Sequence, residues 1–270
     1  MSKKKHKLGI AAWLLGTFLL LVLSFLTKTD GEKEPIKEAM RDAVLHESNK
    51  INFFGIKEVN PALVSAFVVA VAILVAAALI RIFVIPKFKI VPGRFQLVLE
   101  ELVGFFDNLA KSNSPHRNGF LGTYIFAAGV YIFIGTLFEL FGIQGITTKG
   151  ASVALPAPLS DINAAICLGC LSYLVIMSGG IAENGFGGAG KTLKDFSLPI
   201  SMSFRLFGAL LSGLLVTELV YHYLALSFVF PIFVGVMFTL LHALIQTYVL
   251  TMLTALFYGE VSEPSEKTKK

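Results

Sequence analysis

The strongest constraint on the fold of this chain is a series of long apolar segments, each near the length that crosses a lipid bilayer. A hydrocarbon core of about 30 Å requires roughly 20 consecutive apolar residues in a helix. The 270 residues are 55% hydrophobic and only 15% charged, unlike a soluble globular protein. The segments are 8–26, 62–85, 119–142, 162–180, 197–224 and 228–258. We therefore expect an all-α polytopic membrane protein with about six hydrophobic helices.

Helix start signals support two of these segments. Asn60 followed by Pro61 is typical of a capped helix start, and Asp161 stands just before the fourth segment. We expect Asp161 to act as a helix cap, with a carboxylate at the mouth of an ion channel as the alternative.

The last two segments are longer than a bilayer requires. As helices of about 28 and 31 residues they would measure on the order of 42 and 46 Å. A core of about 30 Å cannot hold them upright, so we expect strong tilt, bending or breaks.

The positive charge of the chain indicates its topology. Placing the lysine-rich tail at residues 3–7 in the cytoplasm puts most Lys and Arg side chains there too, and this favours two cytoplasmic termini. Because membrane topology accounts for the net charge of +5, we expect no nucleic-acid partner.

We interpret 8–26 as a retained anchor because its apolar run is long for a signal peptide, which remains the alternative. Residues 1–61 then form an anchor and an extracytoplasmic loop, and 62–270 form the main membrane domain.

An amphipathic pattern lies between the second and third segments. Apolar residues recur there at helical spacing, and polar residues mark the other side: Phe95, Leu99, Leu102, Phe106 and Leu109 against Gln96, Glu100, Asp107 and Lys111. This pattern predicts a helix that either lies at the cytoplasmic membrane interface or packs on other cytoplasmic residues.

Residues 185–192 match the phosphate-loop pattern GxxxxGK[ST]. A phosphate loop joins a strand to a helix within a soluble sheet, whereas a membrane segment precedes this one. We expect a flexible, basic cytoplasmic turn that binds no nucleotide.

Cys167 and Cys170 lie within an apolar segment without a second ligand pair, so we predict no metal site and no cofactor.

Arg205 is a permanent cation inside the fifth apolar segment. Charges within membranes are costly and normally face a bundle interior or an ion path. Small residues share its helical face, at spacings of three, four, seven and eight: Gly208, Ala209, Ser212 and Gly213. Small side chains allow another helix to approach closely, so this face predicts a contact groove. Packing within the chain, with Arg205 extended to the membrane edge, is the alternative.

Other ionisable groups occur in the last two segments. Glu218 and His222 share a helical face and could exchange a proton. His242 forms a polar line with Thr239 and Gln246 on the last segment. Together these groups are candidates for an ion pathway.

Two motifs in 197–258 carry a family resemblance. Leu198-Pro-Ile-Ser-Met-Ser-Phe-Arg205-Leu-Phe-Gly208 and Leu244-Ile-Gln246-Thr-Tyr-Val-Leu-Thr-Met-Leu-Thr254 resemble subunit a of the F-type ATP synthase membrane sector. A weaker echo is Pro158-Leu-Ser-Asp161-Ile-Asn163.

The resemblance implies a stator that passes H⁺ or Na⁺ through two half-channels to a rotating ring of c subunits. It implies a multi-pass protein of a bacterial cell membrane, associated with a b-type peripheral stalk and not catalytic by itself. Arg205 would control the ring carboxylates, with Gln246 beside it. Asp161 and Asn163 would lie along the ion pathway, and the small residues around Arg205 would contact the ring.

The chain departs from the family pattern at three ionisable or amide positions, which Ala209, Leu214 and Thr239 occupy here. Glu218 and His242 stand about one turn away from the last two of these positions. We hypothesise that the outer half-channel relay has moved to Glu218, His222 and His242.

Two other classes of protein remain alternatives. A secondary transporter could use Arg205 to bind an anionic substrate, but the six segments show no paired repeats. In a structural assembly factor, Arg205 would be replaceable.

Overall fold

The computed structural model describes residues 15–16, 18–19, 50–148, 150, 152–222 and 230–264. Six α-helices occur in this part of the chain. They are α1 (Pro61–Leu79), α2 (Arg94–Asn113), α3 (Gly119–Phe138), α4 (Ile162–Lys194), α5 (Ser197–His222) and α6 (Phe230–Val261). The prediction of an all-α polytopic membrane protein is confirmed.

Five stretches are long and apolar enough to cross a membrane. They are Pro61–Lys87, Gly119–Phe141, Ile162–Gly185, Ser197–Thr217 and Val234–Val261. They correspond to five of the six predicted segments, although the one in α4 continues to Gly185. The predicted segment 8–26 lies almost entirely outside the described residues, and the tilt of α5 and α6 stays a prediction.

Both predicted helix starts are confirmed. The Asn60 side chain accepts a hydrogen bond from the backbone N–H of Ala62 at 2.9 Å, and Asp161 accepts one from the N–H of Asn163 at 2.7 Å. Each cap satisfies a donor that the first turn leaves without an intrahelical partner. After α1 the chain passes through a π-helical turn at Ile80–Val84 and a 3₁₀ turn at Ile85–Lys87 that contains a proline.

The core forms where α3 packs against α6 and α4 packs against both α5 and α6. Its most deeply buried side chains come from these helices and the turn before α4: Leu121, Ile125, Ile132, Leu159, Ile176, Leu206 and Tyr258. Gly179 on α4 leaves room for the ring of Tyr258 on α6, because a Cβ on Gly179 would lie 2.5 Å from that ring.

The amphipathic helix is α2, as predicted. Its second half packs against α3, where Phe106 and Ala110 are buried and the Phe106 ring fills the space above Gly129. Its first half is largely exposed, including Val98 at 65%. The helix therefore combines both alternatives: one half packs within the protein, and the other half is free to face a membrane surface.

Two short antiparallel hairpins join the helices at the end opposite α2. They pair β1 (Ile51–Phe53) with β2 (Ile56–Val59) and β3 (Gln144–Ile146) with β4 (Ser152–Ala154). An isolated bridge between Ile51 and Thr147 connects the hairpins. The sequence patterns predicted loops here, because three- or four-residue strands carry too little alternation to be recognised.

The expectation of a flexible turn at 185–192 is wrong. These residues are helical and belong to α4, which kinks at Gly185, with φ 58° and ψ −144°. The kink folds the end of α4 back on itself, so that a Cβ on Gly188 would lie 1.9 Å from the carbonyl oxygen of Gly180. Thr192 is buried, and its hydroxyl donates to the carbonyl of Gly188 at 3.1 Å. Within this motif Gly188 is required for close backbone packing and Gly185 for the positive φ of the kink.

Candidate functional site

Arg205 lies on the exposed side of α5, within the membrane-spanning stretch Ser197–Thr217. The buried side of the helix is formed by Met202, Leu206 and Leu210. Arg205 is exposed, as are Phe204 and Gly208 beside it on the helix surface. The guanidinium forms no hydrogen bond or ion pair with any residue that the structure describes. Arg205 therefore presents an exposed cation, without an ionic partner among the described residues, within a stretch that is long and apolar enough to span a membrane.

The small residues near Arg205 divide into two sets. Gly208 and Ser212 are exposed, and a Cβ on Gly208 would meet no atom within 4 Å. Ala209 and Gly213 are half-buried. The Ser212 hydroxyl is bonded to the carbonyl of Ala209 at 2.8 Å, so it adds little polarity to the surface. Packing within the described chain thus does not explain the small size of Gly208.

Gln246 lies on α6, which packs against α5. Its side chain is only 6% exposed, yet it forms no hydrogen bond to any described residue. The polar atoms of this amide keep access to the surface, since the buried side-chain atom without a partner in the described residues is Oγ1 of the neighbouring Thr247. The Gln246 amide therefore has hydrogen-bonding capacity that the described residues do not use.

His242 stands one turn before Gln246 on α6. Its Nδ1 atom lies 2.7 Å from the carbonyl oxygen of Phe238, and its ring stacks on that of Phe238 at 5.7 Å. A carbonyl oxygen can only accept a hydrogen bond, so Nδ1 is the donor here, and Nε2 has no hydrogen-bond partner among the described residues. A Cβ on Gly213 would lie 4.0 Å from Nδ1, which places His242 at the junction of α5 and α6. The ring therefore has one nitrogen held by the backbone of its own helix, at the contact between α5 and α6.

The other members of the predicted relay are less fully described. Glu218 and His222 belong to the last turns of α5, and their side chains lie outside the described part of the structure. Thr239, the first member of the polar line on α6, is 9% exposed. Proton exchange among Glu218, His222 and His242 stays a prediction.

Asp161 joins two helix caps. One carboxylate oxygen accepts from the N–H of Asn163, and the other accepts from the side-chain amide of Asn60. The same Asn60 caps α1, so the starts of α1 and α4 are linked through two side chains that are 101 residues apart. This geometry confirms the cap that we predicted. The pathway role of Asp161 and Asn163 stays a prediction; both line a largely apolar cavity of about 690 Å³ between α1, α3 and α4.

The sequence patterns missed three relationships at these sites: the cap-to-cap bond of Asn60, the Phe238 carbonyl beneath His242 and the contact with Gly213. Asn60 and Gly213 were recognisable as a cap and a small residue. Their partners depend on how distant helices pack, and helical spacing on one segment does not report that.

Comparison with known proteins agrees with the motifs. The sequence profile of the family described as ATP synthase A chain matches residues 63–259. A protein named ATP synthase subunit a from Cereibacter sphaeroides is 26% identical over 200 residues, which cover 70% of this chain and 76% of that protein. One from Propionigenium modestum, named ATP synthase subunit a, sodium ion specific, is 24% identical over 269 residues, covering 90% of this chain and 91% of that protein. Because the profile covers most of the chain, and both motifs lie within it, the protein belongs to the ATP synthase A chain family.

Proposed function

We propose that this protein is the ion-translocating stator subunit of a rotary F-type ATP synthase. One observation carries the proposal: Arg205 is an exposed cation without a described partner in a membrane-spanning helix, beside the open surface of Gly208 and Ser212. A fixed cation in a groove of small residues suits an anionic partner that passes by and leaves again. The ring of c subunits, with one membrane carboxylate on each subunit, supplies such a partner.

The chemistry at Arg205 is electrostatic. In a medium of low dielectric constant, a nearby cation favours the ionised form of a carboxylate, so an approaching ring carboxylate releases its ion. The cation also repels a bare H⁺ or Na⁺, and this keeps the two half-channels from joining directly. The amide of Gln246 can then hydrogen-bond to the carboxylate or to Arg205 while the ring turns.

We assign the outer half-channel to the junction of α5 and α6. His242 supports this assignment, because its Nδ1–H bond to Phe238 leaves Nε2 able to accept a proton. Glu218 and His222 would continue the path towards the outer end of α5. Asp161 and Asn163 would stand near its mouth, where the turn Pro158–Ser160 packs against α5.

The rest of the assignment concerns the assembly. The subunit would catalyse no reaction by itself and would depend on catalytic subunits elsewhere in the complex for ATP chemistry. We place it in the plasma membrane of a bacterium with both termini cytoplasmic, in contact with the c ring and a b-type peripheral stalk. The translocated ion is H⁺ or Na⁺. No observation favours the secondary transporter or the assembly factor.

Site-directed disulfide formation tests the ring contact. Cysteines introduced as Gly208→Cys and, separately, Ser212→Cys should form disulfides with a cysteine placed near the carboxylate of the c subunit. Leu241→Cys is the matched control, because Leu241 is exposed on α6 and away from the Gln246 face. Cross-linking through position 241 but not through 208 or 212 would refute the proposed contact surface.

A further inference from the structure

The corner between α1 and α2 concentrates positive charge without any acidic neighbour in the sequence. Four cations occur there, and no Asp or Glu lies between Glu58 and Glu100. The cations are Arg81, Lys87, Lys89 and Arg94. All four are exposed, and none forms an ion pair with a described residue. The function proposed above uses none of them.

The same corner exposes large apolar side chains, including the most exposed one in the described residues. Ile90 is 103% exposed and Val91 is 82% exposed, and Phe95 follows at 57%. Such exposure of adjacent aliphatic side chains is unfavourable in water, and burial in an apolar environment would relieve it. The position of these apolar side chains between cations suits a binding surface with an apolar interior and negatively charged groups on its outside.

Gln96 holds this corner in a defined shape. Its side-chain oxygen accepts from the backbone N–H of Lys89 at 3.1 Å, and its amide donates to the Lys89 carbonyl at 2.9 Å. The amide also donates to Glu100 at 2.7 Å. The start of α2 thus clamps the backbone immediately before Ile90, and the two aliphatic side chains form an ordered tip.

We infer that residues 87–95 form an anchoring tip that binds anionic phospholipids of the adjoining leaflet. Ile90 and Val91 would enter the boundary between headgroups and acyl chains, and Lys87, Lys89 and Arg94 would contact the lipid phosphates. An acidic protein surface would match the charge but not the fully exposed aliphatic pair. Basic segments next to a membrane helix bind anionic leaflets with about 1 kcal/mol for each cation. This inference is independent of ion translocation.

The test uses the full chain with Cys167→Ser, Cys170→Ser and Val91→Cys, labelled at position 91 with an environment-sensitive fluorophore. The protein is reconstituted in phosphatidylcholine vesicles containing brominated phosphatidylglycerol or, separately, brominated phosphatidylcholine. We expect the brominated anionic lipid to quench the label severalfold more strongly, with the preference decreasing in high salt. Equal quenching by both lipids, or quenching only by aqueous iodide, would overturn the inference.

Variants separate the charge from the clamp. Combined Lys87→Gln, Lys89→Gln and Arg94→Gln substitutions should lower the preference for the anionic lipid by at least about fivefold, the equivalent of one cation at the surface. Lys191→Gln with Lys194→Gln is the matched control, since both lysines are exposed elsewhere, and it should leave the preference unchanged. Gln96→Ala should weaken quenching by releasing the Lys89 backbone. An unchanged signal in Gln96→Ala would overturn the clamp, and an unchanged preference in the triple variant would overturn the lipid site.

Discussion

Gly213 on α5 faces His242 on α6, and a Cβ on the glycine would lie 4.0 Å from Nδ1 of the histidine. That distance is an ordinary van der Waals contact, so one methyl group fits and a larger side chain does not. We predict that Gly213→Ala retains most ion-driven ATP synthesis, whereas Gly213→Leu displaces the imidazole and loses most of it. Synthesis by inverted membrane vesicles measures both, and equal activity in the two variants would show that the contact has no role.

His242 should be required for its proton chemistry as well as its packing. Asn can donate to the Phe238 carbonyl, as Nδ1 does now, but it cannot take up a proton. Loss of a proton-transferring group typically lowers a rate by about a hundredfold or more. We therefore expect His242→Asn to lower ion-driven ATP synthesis by at least about tenfold. His116→Asn, at an exposed histidine between α2 and α3, is the control and should have no effect. Near-normal synthesis by His242→Asn would remove His242 from the relay.

The cap and the channel-mouth interpretations of Asp161 predict different results. Asn is a good N-cap residue and can still accept from the Asn163 N–H, whereas Ala cannot. As a cap, Asp161→Asn should keep normal transport and the Asn163 bond while losing the bond from Asn60, whereas Asp161→Ala should lose both bonds, of which the cap alone contributes about 0.5–2 kcal/mol. Thermal unfolding and ATP-driven ion uptake distinguish the two. Loss of uptake by Asp161→Asn in a stable protein would indicate an ionised carboxylate on the ion path.

The kink in α4 makes two glycines irreplaceable for different reasons. Gly185 has a backbone conformation that costs other residues about 1–3 kcal/mol. At Gly188 a methyl group would collide with the Gly180 carbonyl, and the backbone would have to move. Both Gly185→Ala and Gly188→Ala should lower the unfolding temperature.

Gly187→Ala is the control for these variants, because a Cβ there meets nothing within 4 Å. It should stabilise the helix slightly or leave it unchanged. ATP should not alter the unfolding temperature of any of the three. Stabilisation by ATP that Lys191→Ala abolishes would restore the phosphate-loop interpretation.

The sequence predicted what periodicity and local chemistry determine. Apolar length indicated five spans that the structure contains, and the Asn60 and Asp161 caps were recognisable because a cap acts on its own helix. Relationships between helices were not predictable in this way. The turn expected at 185–192, between two apolar segments, was wrong because the packing of Gly188 against the Gly180 backbone has no signature in the sequence of one segment. The arrangement around Arg205 was predicted as a contact groove, and only the packing of α5 showed which small residues stay open.

The most direct test of the account is the Arg205→Gln variant of the assembled complex in membrane vesicles. If the guanidinium controls the ring carboxylates and separates the half-channels, an imposed ion gradient should drive no ATP synthesis. Arg205→Lys keeps the positive charge but loses the planar guanidinium group and its several N–H donors, so it should also be severely impaired. The account predicts complete loss of gradient-driven synthesis by Arg205→Gln in a fully assembled complex. Coupled synthesis at a substantial fraction of the normal rate would contradict it.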